Sequence, residues 1–206
     1  MAEEWLKVFD ENYEVKGKAT RMDVHTKGLW HETVHFWLIT VIKEKYYIFL
    51  QKRSKSKKDY PNLYDISAAG HLMVTESPRD GLRELQEELG FSTVNRNKLH
   101  KLGIVKNIIN TDRITDNEFS HIYVYMVNES TSFHLQEEEV SEMVITEFDS
   151  FYEFCMGARS DVIVYPWQAF ASSSEKGLRA GKDKFVPHDD AYFREIAVLL
   201  KRHLEN

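Results

Sequence analysis

Gly70-His71-Leu72-Met73-Val74-Thr75-Glu76-Ser77-Pro78-Arg79-Asp80-Gly81-Leu82-Arg83-Glu84-Leu85-Gln86-Glu87-Glu88-Leu89-Gly90-Phe91 carries the strongest pattern in this chain of 206 residues. Ser77-Pro78 predicts a helix start, since serine caps free amides and proline fits the first helical position, where no amide partner is needed. Gly90 predicts the helix end. Glu84, Glu87 and Glu88 stand at i, i+3 and i+4, so their carboxylates share one face while Leu85 and Leu89 anchor the opposite one. Like charges at these spacings cost about 0.2–0.5 kcal/mol per pair on an exposed helix. A divalent cation would offset that cost. Carboxylate oxygens suit hard ions such as Mg²⁺, which shares its coordination with waters and substrate phosphates. A bare Glu-x-x-Glu-Glu is also what a solvated helix face looks like. The preceding glycine turn, Glu76 ahead of the cap, and Arg83, which can orient a neighbouring carboxylate through a bidentate pair, favour the metal reading.

Outward from this segment, strands are expected at Leu6–Phe9, Val34–Ile42, Tyr46–Leu50, Asp65–Ala69, Leu99–Val105, Phe119–Val127 and Val140–Phe148, with Val34–Ile42 and Tyr46–Leu50 paired as a hairpin. Helices are expected over Asp149–Met156 and Asp189–His203. In the latter, Phe193, Ile196, Ala197, Leu200 and Leu204 recur at helical spacing. Ala171–Lys184, rich in Ser, Gly and Lys, reads as an exposed loop. Strands interrupted by helices imply an α/β chain, here one domain over residues 1–206 with 149–206 as a helical extension packed on it.

The 27 basic and 33 acidic side chains give a formal charge of −6, which argues against general nucleic-acid binding. Hydrophobic residues at 42% and charged residues at 29% are the balance of a globular chain. One cysteine excludes an intrachain disulfide framework. No apolar run spans a bilayer and the first residues lack a basic leader, so a cytoplasmic protein without a membrane partner is expected.

The 70–91 segment resembles the Nudix box, G-x5-E-x7-R-E-U-x-E-E-x-G-U with U a bulky apolar residue. Gly70, Glu76, Arg83, Glu84, Leu85, Glu87, Glu88, Gly90 and Phe91 fill all nine specified positions. One departure stands out: six residues, not seven, separate Glu76 from Arg83. The shortening falls near Asp80-Gly81 and leaves the Arg83–Gly90 block at its usual spacing. The resemblance implies an α/β/α sandwich with a mixed sheet and a Mg²⁺-dependent hydrolase of diphosphate linkages in small nucleoside or organic diphosphates, with Mn²⁺ as an alternative ion. Glu84, Glu87 and Glu88 would be metal ligands. Gly70, Glu76, Arg83 and Gly90 would shape the box. A further carboxylate would act as base or ligand.

Phe9-Asp10-Glu11-Asn12, Gly17, Arg21, His25, Gly28, Trp30-His31, His35, Leu50-Gln51-Lys52-Arg53, Lys57 and Pro61-Asn62-Leu63-Tyr64 are similar to the isopentenyl-diphosphate isomerase branch and its hydrolase relatives. That resemblance implies Glu118 as the later acidic residue, Arg53 and Lys57 as diphosphate contacts, and a second metal site from His25, His31, His71, Asp116 and Glu118. Isomerase chemistry also needs a cysteine just before the Gly-His pair, and Ala69 occupies that position. Alanine neither gives nor takes a proton. Hydrolysis is therefore the leading expectation, with isomerisation and a non-catalytic diphosphate sensor as alternatives. The partner is a small-molecule diphosphate; a homodimer is left open.

Overall fold

A computed structural model describes residues 3–111, 115–170 and 177–206. Among the described residues eleven strands join one sheet: β1 (Trp5–Phe9), β2 (Val15–Thr20), β3 (Trp30–Ile42), β4 (Lys45–Arg53), β5 (Tyr64–Asp65), β6 (Ala68–His71), β7 (Leu99–Asn110), β8 (Thr115–Met126), β9 (Val140–Glu147), β10 (Asp161–Pro166) and β11 (Leu178–Gly181). The helices are α1 (Arg21–Lys27), α2 (Arg83–Glu87), α3 (Phe148–Cys155), α4 (Trp167–Phe170) and α5 (Asp190–Leu204).

Strand β3 organises the sheet. Along one edge it runs parallel to β8, with His31 opposite Glu118. Along the other it meets β1, β6 and β4 in turn, all antiparallel. The sheet is mixed, as the sequence implies. Side chains alternate across a strand with period two. Val34, Phe36 and Leu38 accordingly pack on one face with Leu85 and Leu89, while Trp37 and Ile39 face α3 and α5 on the other. Helices cover both faces of the sheet. Burying Leu85 and Leu89 fully contributes about 1.5–3 kcal/mol each and fixes the helix against the sheet.

The expected hairpin forms between β3 and β4. Other expectations need correction. Asp65–Ala69 is two short strands, one on β4 and one on β3. Leu178–Gly181, expected as loop, pairs with β10; residues 171–176 of that stretch lie outside the described residues. Ser77-Pro78 does not open the α-helix. Ser77 sits in a turn closed by the Asp80 carboxylate, a 3₁₀ turn follows over Asp80–Leu82, and the α-helix begins at Arg83. A 3₁₀ turn uses three residues where an α turn uses 3.6. This tighter turn lies in the stretch where the box is one residue short.

Helix α1 is capped at both ends. The Thr20 hydroxyl accepts from the Asp23 amide, and Gly28 takes the left-handed conformation (φ 61°). A Cβ at Gly28 would come within 2.6 Å of the Thr115 methyl, so glycine lets α1 close onto β8. Among the described residues no helix is long and apolar enough to cross a membrane.

Candidate metal-binding active site

Arg83 ties the box together. Its Nε donates to Glu76 Oε1 (2.7 Å), one Nη donates to the His71 carbonyl (3.0 Å), and the other reaches Glu84 Oε1 (2.6 Å) and Glu87 Oε2 (3.1 Å). Glu76 also accepts from the Met73 amide at 2.8 Å. The shortened spacing thus preserves the Glu76–Arg83 pair.

The three helix carboxylates are not equivalent. Glu84 and Glu88 turn inward and are buried, whereas the Glu87 side chain is 55% exposed at the rim. The sequence placed all three on one face. At about 100° per residue Glu87 and Glu88 fall on opposite sides of Glu84, which turns Glu87 to the rim, and Arg83 holds Glu84 and Glu87. Burial pushes the Glu84 carboxyl up to about 7, against the pull of Arg83 and with help from Glu87 and Glu76. Burial and the neighbouring Glu84 push the Glu88 carboxyl well above the usual carboxylate range. Glu88 Oε2 is buried without a hydrogen-bond partner among the described residues.

Gly70 faces Glu84 directly: a Cβ there would overlap the Glu84 carboxyl. Gly70→Ala is expected to fold, with a thermal midpoint within a few degrees of wild type, while displacing Glu84. Misplacement by about 1 Å costs on the order of 100-fold in turnover. Phosphate release paired with a melting curve checks this, and unchanged turnover would show that Glu84 has slack.

The far end of the helix is clamped. Gly90 is left-handed (φ 73°) and packs against His134; the amides of His134 and Gln136 donate to the Leu89 and Glu88 carbonyls, both at 3.0 Å.

A second group of ligand-type atoms converges nearby. Atoms of His25, His31 and His71 lie within 4.8 Å of one another, as do those of His31, Asp116 and Glu118. Strand register brings His31 beside Glu118 and sets His71 opposite Thr33, while α1 delivers His25. Nδ1 of His25 faces the Arg21 carbonyl (2.9 Å) and Nδ1 of His31 faces the Leu29 carbonyl (3.1 Å). Each Nδ1 therefore donates, which leaves the Nε2 lone pair turned into the cluster. His25 Nε2 lies 3.1 Å from His71 Nε2, and Asp116 Oδ1 lies 3.5 Å from His31 Nε2. Among the described residues both His31 Nε2 and Asp116 Oδ1 are buried and unpartnered. Burial, joined by the His31 charge, holds His71 well below the usual imidazole range. Burial likewise lowers His25. Burial and the Glu118 charge push Asp116 up to about 7. Burial opposes ionisation of Glu118 too, but the His35 hydrogen bond and adjacent imidazoles keep its carboxyl low.

Arg53 and Lys57 border the same region and are already paired. Arg53 donates to Asp65 Oδ2 (2.9 Å) and to the Asp59 carbonyl, and Lys57 contacts Glu139. The Lys57 charge also acts on Glu88. Trp37 and Tyr64 belong to the core, and Trp30 stacks on Phe119 at 4.7 Å. Cys155 is buried in the same core, next in sequence to Phe154. Sequence reasoning did not single out Asp65, Asn107, His188 or Tyr192, which lie behind Glu118. Pro187-His188 just ahead of the α5 cap was the one available signal, and it names no partner.

Residues 31–168 match the family model of the NUDIX domain. An uncharacterized Nudix hydrolase of Clostridium acetobutylicum is 37% identical over 203 residues, covering 95% of this chain and 96% of that protein. Isopentenyl-diphosphate Delta-isomerase 2 of Photorhabdus laumondii is more distant, 27% identical over 66% of this chain and 73% of its own length. The crystal structure of DR0079 from Deinococcus radiodurans shares the fold, with a TM-score of 0.54 at 17% identity over 97% of this chain and 98% of that one. Nudix enzymes act on small molecules and generally use divalent metals. The chain belongs to the Nudix hydrolase family.

Proposed function

We propose that the protein hydrolyses a diphosphate linkage in a small nucleoside or organic diphosphate, with Mg²⁺ or Mn²⁺ held at the α2 carboxylates. The carrying observation is Glu88, a buried carboxylate with an unpartnered oxygen beside a second buried carboxylate. Two such groups without a cation between them are strongly disfavoured in a low-dielectric site. The donor set fits a hard divalent ion, with Glu84 and Glu88 as the inner ligands and Glu87 at the rim.

When bound, the ion would neutralise diphosphate oxygens and lower the pKa of an attacking water. Arg83 orients Glu84 and Glu87. Lys57 exchanges Glu139 for substrate phosphate oxygens, and Arg53 turns to them while Asp65 keeps its hold on one Nη. Glu118, held ionised by its hydrogen bonds, accepts a proton or completes a metal shell. The cluster of His25, His31, His71, Asp116 and Glu118 forms a second metal site. Its imidazoles, with the Nε2 lone pairs of His25 and His31 turned into the cluster, favour Mn²⁺ or Zn²⁺ over Mg²⁺.

Isomerisation is the second reading, favoured by that histidine cluster. Against it, Ala69 supplies no proton at the position where the isomerase uses cysteine, and Cys155 lies in the core. A panel of nucleotide sugars, dinucleotides, nucleoside triphosphates and isoprenoid diphosphates, assayed with Mg²⁺ and Mn²⁺ for phosphate release, through a coupled phosphatase for the nucleotide sugars and dinucleotides and a coupled pyrophosphatase for the triphosphates, tests hydrolysis. Metal-dependent release from at least one class is expected, abolished by chelation. Conversion of isopentenyl to dimethylallyl diphosphate by NMR, without release, would replace hydrolysis with isomerisation. Tight diphosphate binding with neither reaction would make the protein a sensor.

A further inference from the structure

The segment leading into α5 sends two polar side chains through the core toward Glu118. His188 Nε2 lies 2.8 Å from Asp65 Oδ1 and its Nδ1 lies 3.1 Å from Asn107 Oδ1. Asn107 turns its amide nitrogen to Glu118 Oε2 at 2.6 Å. From the other side, the Tyr192 hydroxyl sits 2.6 Å from His35 Nδ1, and His35 Nε2 lies 3.4 Å from the same Glu118 oxygen. The Ser120 hydroxyl adds a third donor at 3.3 Å. Asp65 carries the chain onward to Arg53 at 2.9 Å. Glu118, Asn107, Asp65, His35 and Tyr192 are all buried.

The roles of the donors follow. Glu118 accepts, so His35 Nε2 donates and its Nδ1 accepts from the Tyr192 hydroxyl. Asn107 donates to Glu118, so its carbonyl faces His188 and the imidazole donates to it. The opposite ring nitrogen donates to Asp65, whose carboxyl is held down to about 2, against burial, by His188 and Arg53. Core packing alone does not call for polar side chains here. A buried polar group costs about 1–3 kcal/mol when left unmet, and apolar residues would fill the same volume without that risk.

We propose that His188 and Tyr192 are positioning residues of the active site: Tyr192 orients Glu118 through His35, and His188 orients Glu118 through Asn107 and Arg53 through Asp65. The C-terminal segment then completes the site from behind. This rests on the hydrolase reading for its kinetic consequences and on the histidine–carboxylate cluster for its binding ones.

The two side chains predict different signatures. Tyr192→Phe removes one hydroxyl and touches the Glu118 arm alone, so kcat falls about 10-fold with KM within twofold. His188→Gln disturbs both arms, so kcat falls and KM rises severalfold. Groups that orient metal ligands typically affect metal affinity or activity 10- to 100-fold, so both variants also weaken Mn²⁺ binding, read by EPR on the protein with Mn²⁺ alone. Melting curves and circular dichroism verify folding. If His188→Gln does not fold, Asn107→Ala cuts the same link from β7 and carries the same expectation for Glu118. Folded variants with wild-type Mn²⁺ affinity and wild-type kcat overturn the proposal. If the wild-type protein releases no phosphate from any diphosphate, the hydrolase reading fails, and the Mn²⁺ affinities still decide the positioning roles.

Discussion

Glu88→Gln is expected to cut metal-dependent phosphate release about a thousandfold and to make the metal-free protein more stable. The activity loss follows from the ion it would help hold. Charge stabilisation by a bound metal supplies several kcal/mol in the transition state, and about 4 kcal/mol corresponds to a factor of a thousand. The stability gain follows from burial. Burial and Glu84 raise the Glu88 carboxyl well above its ordinary value, so near neutral pH folding must either bury its charge or take up a proton, and a neutral amide avoids both costs. A gain of about 1–2 kcal/mol would raise the thermal midpoint by roughly 2–8 °C in a chain of this size. Glu87→Gln should lose activity with stability within about 0.5 kcal/mol, because exposed ion pairs contribute little and Glu87 lies at the rim. Phosphate release, with thermal melts in a chelating buffer, reads both effects. Unchanged release in both variants would remove these carboxylates from the chemistry.

Glu84 gives a large pH-dependent effect. Its folded-state pKa is raised from 4.5 to about 7, chiefly by burial, so the folded protein binds more protons than the unfolded chain in that window. The stabilising contribution is fully present below about 4.5 and lost as pH rises to about 7. At 1.36 kcal/mol per unit this amounts to at most about 3 kcal/mol. His25 and His71, whose folded-state values are lowered, act in the opposite direction up to about 6.5. A difference measurement cancels them. Relative to wild type, metal-free Glu84→Gln should gain about 2–3 kcal/mol in urea unfolding between pH 4.5 and pH 7. Saturating Mg²⁺ should shrink that gain, because the ion takes the place of the proton on Glu84. A gain independent of pH would mean that Glu84 is ionised throughout, matched by Arg83 alone.

The sheet and the Glu helix were legible because their signals are local. Leu85 and Leu89 repeat at helical spacing, and β3 is apolar on both faces, as a central strand must be. The shortened box was visible, but the 3₁₀ turn within it was not: Ser77-Pro78 reads as a helix start, and only the Asp80 carboxylate closing the turn shows otherwise. β11 was hidden inside the Ser-, Gly- and Lys-rich run Ala171–Lys184, and its pairing partner β10 lies outside that run. His25, His31, His71, Asp116 and Glu118 were nameable from resemblance, yet their convergence depends on the parallel register of β3 with β8, which no short-range pattern encodes. His188 and Tyr192 lie far along the chain from Asp65, Asn107 and His35. Hydrogen bonds across such separations leave no periodic trace.

The clamp on the Glu helix has a consequence for how this protein tolerates sequence drift. Glu88 and Leu89 offer carbonyls that are received by the backbone amides of Gln136 and His134. Any amino acid except proline provides that amide, so the identities at 134 and 136 can wander across generations while the grip persists. Gly90 enjoys no such latitude: its left-handed turn against His134 excludes a methyl group, and the path of the chain there is inherited as geometry rather than as chemistry.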